Sequence, residues 1–117
     1  MTSLQLARRI AALAQEKLAG DVVILDMQPV CSYTDYFVIA TGNNTRQTKG
    51  SLDEVQTSLK ADQRLPTSIA GELEATWIVA DYLDVVLHVF TPDARDFYRL
   101  DDLWGDVPQE TLEAASA

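Results

Sequence analysis

The chain has 117 residues, 47% of them hydrophobic, which fits one domain with a real core and argues against global disorder. A formal net charge of −9 repels nucleic-acid phosphates and attracts basic partners, so direct DNA or RNA binding is disfavoured. The single cysteine, Cys31, rules out an intramolecular disulfide and fits a reducing cytosol. No apolar run approaches the roughly 18 residues of a membrane span, and the first residues carry no signal-peptide pattern.

Thr2-x-x-Gln5 is a capping-box pattern, and Leu6, Ile10, Leu13, Ala14 and Leu18 follow at three- and four-residue steps. This predicts an amphipathic helix that stops near Gly20. Val22-Val23-Ile24-Leu25 reads as a strand buried on both faces, and Asp26 to Asp35 as a loop. Tyr36-Phe37-Val38-Ile39-Ala40 is a second strand, broken at Thr41-Gly42-Asn43-Asn44. Asn44 caps a second helix with an apolar stripe of Thr48, Leu52, Val55 and Leu59, ending near Ala61 or Asp62. Ser68-Ile69-Ala70 fits a short edge strand and Gly71-Glu72 a turn. Trp77 to Tyr82 and Val85 to Phe90 form a hairpin whose Leu83-Asp84 turn lacks the usual glycine. Thr91-Pro92 starts a last helix, with Thr91 as cap and Pro92 first, that runs through Phe97 and Tyr98 to about Leu100. The order predicts a single α/β domain over 1–105, with a mixed sheet of about five strands flanked by helices. The unit from 36 to 69 suggests a parallel pair. Residues 106–117 read as an acidic, disordered tail.

The chemistry is sparse. His88 is the only histidine, and alternation places it with Val86 and Phe90, opposite Leu87 and Val89. It reads either as a structural histidine or as a partner contact. One histidine and one distant cysteine make a poor zinc site and a poor nucleophile–base pair, so neither a metal nor a cofactor is expected. Gly42-Asn43-Asn44 leads into a helix start, but there is no GxGxxG and no P-loop lysine. Lys49-Gly50-Ser51 falls inside a predicted helix, where it cannot cradle phosphates. Asp81 and Asp84 flank the hairpin turn, beside Trp77, Tyr82 and His88, a mixture typical of interface hot spots; core packing is the rival reading for Trp77. Packing against the last helix is the plainer reading of Trp104. From Asp93 to Glu113 seven acids face two bases, −5 of the total −9, which suits either a docking feature or a solubilising end.

Several blocks together resemble the ribosomal silencing factor (Iojap-like) family. They are Asp21-Val22-Val23-Ile24-Leu25-Asp26-Met27, Thr34-Asp35-Tyr36-Phe37-Val38-Ile39-Ala40-Thr41-Gly42 and Asn44-Thr45-Arg46-Gln47. Gly71-Glu72, Trp77-Ile78-Val79-Ala80-Asp81-Tyr82 and Asp84-Val85-Val86-Leu87-His88-Val89-Phe90 follow, then Arg95 and Tyr98-Arg99-Leu100-Asp101-Asp102-Leu103-Trp104. The resemblance implies a nucleotidyltransferase-like sheet without a retained transfer site, hence no enzyme. It implies cytoplasmic binding to ribosomal protein uL14 on the joining face of the large ribosomal subunit, steric block of subunit association, and repression of translation under nutrient limitation. A role in large-subunit maturation through the same surface is the alternative, and a homodimer is compatible. The implied partner-binding residues are Trp77, Asp81, Asp84, His88, Asp101 and Trp104. The chain departs from the family at Asp101, often glutamate, at Asp102, and at Gly50, often alanine. A nucleotide-using enzyme remains the rival from another class; it needs Asp26 or Asp35 to meet the Gly42 turn around a metal.

Overall fold

The computed structural model describes residues 2–18, 20, 22–99 and 105–112. Helix α1 (Ser3–Gln15) is opened by a complete capping box: the Thr2 hydroxyl accepts from the Gln5 amide, and the Gln5 side chain accepts from the Thr2 amide. It stops short of Gly20. The Gln15 side chain donates to the carbonyls of Gly20 and Leu112, which turns the chain back into strand β1 (Val22–Asp26). The loop after β1 closes through the Met27 amide on the Asp35 carbonyl and leads into β2 (Tyr36–Thr41). Helix α2 (Thr45–Ala61) is capped by Asn44, whose side chain accepts from the Gln47 amide. Gly42 precedes it because the chain passes so close to the Thr48 amide that a Cβ would sit 2.9 Å from its nitrogen.

Three strands follow: β3 (Ser68–Ala70), β4 (Trp77–Asp81) and β5 (Val85–Phe90). The β4–β5 turn lacks glycine, and Leu83 takes the left-handed conformation itself at φ 71°. The Asp81 carboxylate accepts from the Leu83 amide at 2.8 Å and supports that turn. Helix α3 (Pro92–Tyr98) begins with proline at its first turn. Thr91 precedes it in extended conformation but makes no side-chain cap, contrary to the sequence expectation. The helix ends at Tyr98 on a left-handed Arg99.

The sheet has six strands in the order β3-β4-β5-β2-β1-β6, where β6 is Gln109–Leu112. Two expectations are corrected here. The parallel partner of β2 is β5, not β3. Val85 to Phe90 is buried at every position and can fill a central strand, whereas the three residues of β3 are partly exposed and suit only an edge. The second correction is β6, which lies inside the segment read as a disordered tail. Its sequence has no apolar alternation; backbone pairing to the edge of β1, in the register Ile24 opposite Glu110, orders it.

Side chains alternate across this sheet to make two cores. On one face α1 and α2 pack Leu6, Ile10, Ala14, Leu52, Val55 and Leu59 over Ile24, Val38, Ile78, Val85, Leu87 and Val89. The buried Ser51 hydroxyl ties the two helices by donating to the Ala14 carbonyl. On the other face Leu25, Phe37, Ile39, Val86 and Phe90 form a smaller cluster, against which Trp77 and Ala94 of α3 pack. Apolar burial on both faces, with helices on each, matches the α/β reading.

Candidate partner-docking surface

Trp77 starts β4 on the face away from α1 and α2, directly opposite Phe90. Three features fix its backbone. Gly71 adopts φ 83°, and a Cβ there would overlap the Trp77 carbonyl oxygen. The buried Thr48 hydroxyl of α2 donates to the Ala75 carbonyl at 2.7 Å. The Thr91 amide bonds the Thr76 carbonyl at 2.9 Å. The indole is then oriented from below, its N–H donating to Nδ1 of His88 at 3.1 Å. That bond assigns the neutral imidazole with its proton on Nε2, a buried atom with no hydrogen-bond partner among the described residues.

His88 is 5% exposed, and burial pushes its pKa down to about 4. The ring lies beneath the surface, edge-on to Phe37 at 4.6 Å, and holds the Trp77 indole from below, which is the structural-histidine arrangement named from the sequence. The outer side of Trp77 meets α3. Its ring is 4.3 Å from that of Tyr98 and 5.3 Å from that of Phe90. Phe97 packs edge-on to Tyr98 but is 81% exposed, and Leu73, in the loop before β4, is 93% exposed. Trp77 and Tyr98 line a shallow cavity of about 340 Å³ with Gly71, Leu73, Glu74 and Thr76. Glu72, Glu74, Asp93 and Asp96 are exposed in the same loop and helix. The result is an apolar, aromatic surface carried on acidic segments.

Trp77 and His88 therefore come together on one face of the hairpin. Asp81 and Asp84 do not join them. They lie at the other end of the hairpin, about 13 Å along β4 from Trp77 at the rise of a strand. Asp81 is engaged in its own turn, and the Asp84 backbone carbonyl accepts the amides of Asp35 and Tyr36. Asp101 and Trp104 fall outside the described residues. Leu73, Phe97 and Tyr98 were not among the residues picked from the sequence. One signal was there: adjacent aromatics on a helix point about 100° apart, so a short surface helix cannot bury both. Leu73, alone in a polar loop, carried no such signal.

The enzyme geometry fails on distance. Asp35 precedes β2 and Gly42 follows it, some 20 Å apart along the strand, and Asp26 pairs at the Tyr36 end. Among the described residues no group of three histidine, cysteine or acidic side chains is placed to hold a metal. Nor is any described helix long and apolar enough to cross a membrane.

Comparison with known proteins agrees with this domain throughout its length. The family model described as "ribosomal silencing factor during starvation" matches residues 1–117. The ribosomal silencing factor of Bacillus subtilis is 36% identical over 103 residues, covering 88% of this chain and 87% of that protein. A mouse protein named for mitochondrial assembly of the ribosomal large subunit is 30% identical over 98 residues, covering 81% of this chain and 43% of its own length. A crystal structure of a Chromobacterium violaceum protein superposes with a TM-score of 0.79 at 32% identity, over 97% of this chain and 93% of that one. The chain belongs to the ribosomal silencing factor family.

Proposed function

We propose that this chain docks in the cytoplasm on ribosomal protein uL14 of the large subunit, blocks small-subunit joining by its bulk, and so represses translation when nutrients are scarce. The observation that carries the reading is the cluster of exposed Leu73, Phe97 and Tyr98 around the half-buried Trp77. An apolar aromatic centre on acidic segments of a chain with net charge −9 complements a basic protein surface. Trp77 and Phe97 are the anchors in this reading and His88 the support behind Trp77. Asp81 and Asp84 contribute at the rim, and Asp101 and Trp104 enter this reading only as the contacts that the family resemblance implies.

Co-sedimentation with separated ribosomal subunits, beside an assay of subunit joining, tests the proposal. The expected result is binding to the large subunit alone with joining reduced. Binding to neither subunit, or to the large subunit with joining unchanged, overturns it. The name of the mouse relative favours a second reading, in which the same surface serves assembly of the large subunit. Depletion that lowers the yield of mature large subunits would support that reading. A homodimer would cover the same apolar cluster in the free protein, and analytical sedimentation across concentrations reports it.

A further inference from the structure

We propose that the edge of β6, beyond which the described residues form no further strand, is a second docking surface, one that takes an extended basic segment of a partner protein as a seventh strand. This surface is independent of the Trp77 cluster. Four strand spacings separate β6 from β4, ~19 Å across the sheet.

The hydrogen-bond register defines what the edge offers. The Asp26 amide bonds the Pro108 carbonyl at 2.9 Å, so residues 26 and 108 form a hydrogen-bonded pair. In an antiparallel ladder such pairs alternate, which makes 24 with 110 and 22 with 112 the next two. Glu110 and Leu112 therefore turn their backbone groups toward β1. Gln109 and Thr111 turn theirs outward, where the sheet has no further strand among the described residues. The Gln15 side chain pins the far end of the strand through the Leu112 carbonyl at 2.8 Å, so this edge is held in place. Edge strands are usually protected by shortness, by charges such as lysine, by proline or by a bulge; β6 is short and carries Glu110 but none of the others. Residues 109–112 contain no lysine and no proline, since Pro108 lies just before the outward-facing stretch.

The sheet face next to β6 selects the partner. A groove of about 390 Å³ lies on the α1 face just inboard of β6, over β1 and the Tyr36 end of β2, with Leu4, Ile24 and Tyr36 as apolar walls and Asp26 and Glu110 as acids, so a long side chain from an added strand reaches it across β6. Arg8 already bonds Glu110 at 3.0 Å, and Asp26 accepts the Gln28 amide. The groove thus keeps a net negative lining in a chain of charge −9. Apolar walls leading to carboxylates suit a lysine or arginine side chain, whose stem packs while its charged head reaches the acids. An added strand brings alternate side chains to the face that Glu110 occupies, so basic residues at every second position fit.

The test uses the full isotopically labelled chain and two capped peptides, one alternating lysine with valine and one alternating glutamate with valine. Amide hydrogen exchange is read residue by residue. The expected result is exchange at Gln109 and Thr111 slowed about tenfold or more by the basic peptide and unchanged by the acidic one. Thr111→Pro should abolish the effect with the fold intact, because it removes an outward N–H and none of the bonds to β1. If that variant unfolds, Glu110→Lys replaces it: the edge stays and basic-peptide affinity should fall about tenfold. Equal effects of both peptides, no effect at β6, or slowing that appears with protein concentration alone would overturn the proposal, the last by assigning the edge to a second copy of this chain.

Discussion

Phe97→Ala separates docking from folding. The ring is 81% exposed, and its one ring contact among the described residues is the edge-on approach to Tyr98 at 5.1 Å. One aromatic pair is worth about 1 kcal/mol, so the cost to stability stays within that value, a melting shift of a few degrees for a domain of this size. An aromatic anchor at the centre of an interface costs about 2 kcal/mol or more on truncation, ~30-fold in Kd. The two effects therefore differ in size and are read separately, by thermal melting and by titration of labelled large subunits. Trp77→Ala is a poorer probe. It removes contacts to Phe90 and Tyr98 and the hydrogen bond to His88, so a folding loss of about 3 kcal/mol accompanies any loss of binding. A folded Phe97→Ala protein that binds within threefold of wild type would falsify the placement of the docking centre on this cluster.

Acid should weaken the fold through His88. Its folded pKa of about 4 lies below the ordinary 6.5, so between those values the unfolded chain binds a proton that the folded one refuses. Stability is then fully present above pH 6.5 and declines as pH falls toward 4, by about 3 kcal/mol in all. His88→Gln keeps an acceptor for Trp77 without titrating; its denaturation midpoint should lose that slope, and an unchanged slope would assign it to carboxylates. Gly71→Ala should cost about 2 kcal/mol or more, from the left-handed backbone and the overlap with the Trp77 carbonyl, with a changed tryptophan emission as the local sign. Leu83→Gly should instead stabilise by about 1 kcal/mol, since it relieves a left-handed leucine whose side chain is exposed. A destabilised variant in urea would show that Leu83 packs more than its exposure indicates.

Local chemistry was enough to specify much of this protein from its sequence. The capping box at Thr2, the Asn44 cap and the apolar stripes define α1 and α2 because helix ends and faces depend on residues three or four apart. The β4–β5 hairpin, and the shared face of His88 and Phe90, follow from alternation in one short stretch. The blocks that resemble the family lie in these same elements. What the tertiary structure decided are the long-range pairings. Whether β2 takes β3 or β5 as its parallel neighbour depends on which strand can be buried on both faces, a competition among distant segments. That Gln109–Leu112 is a strand depends on the vacant edge of β1, because the four residues carry no pattern of their own. The site shows the same division. Trp77 stood out in the sequence as a candidate contact with core packing as its rival, but its grip on His88, the exposure of Phe97 and Leu73, and the separation of Asp81 and Asp84 from it arise only when α3, the loop and the hairpin meet on one face of the sheet.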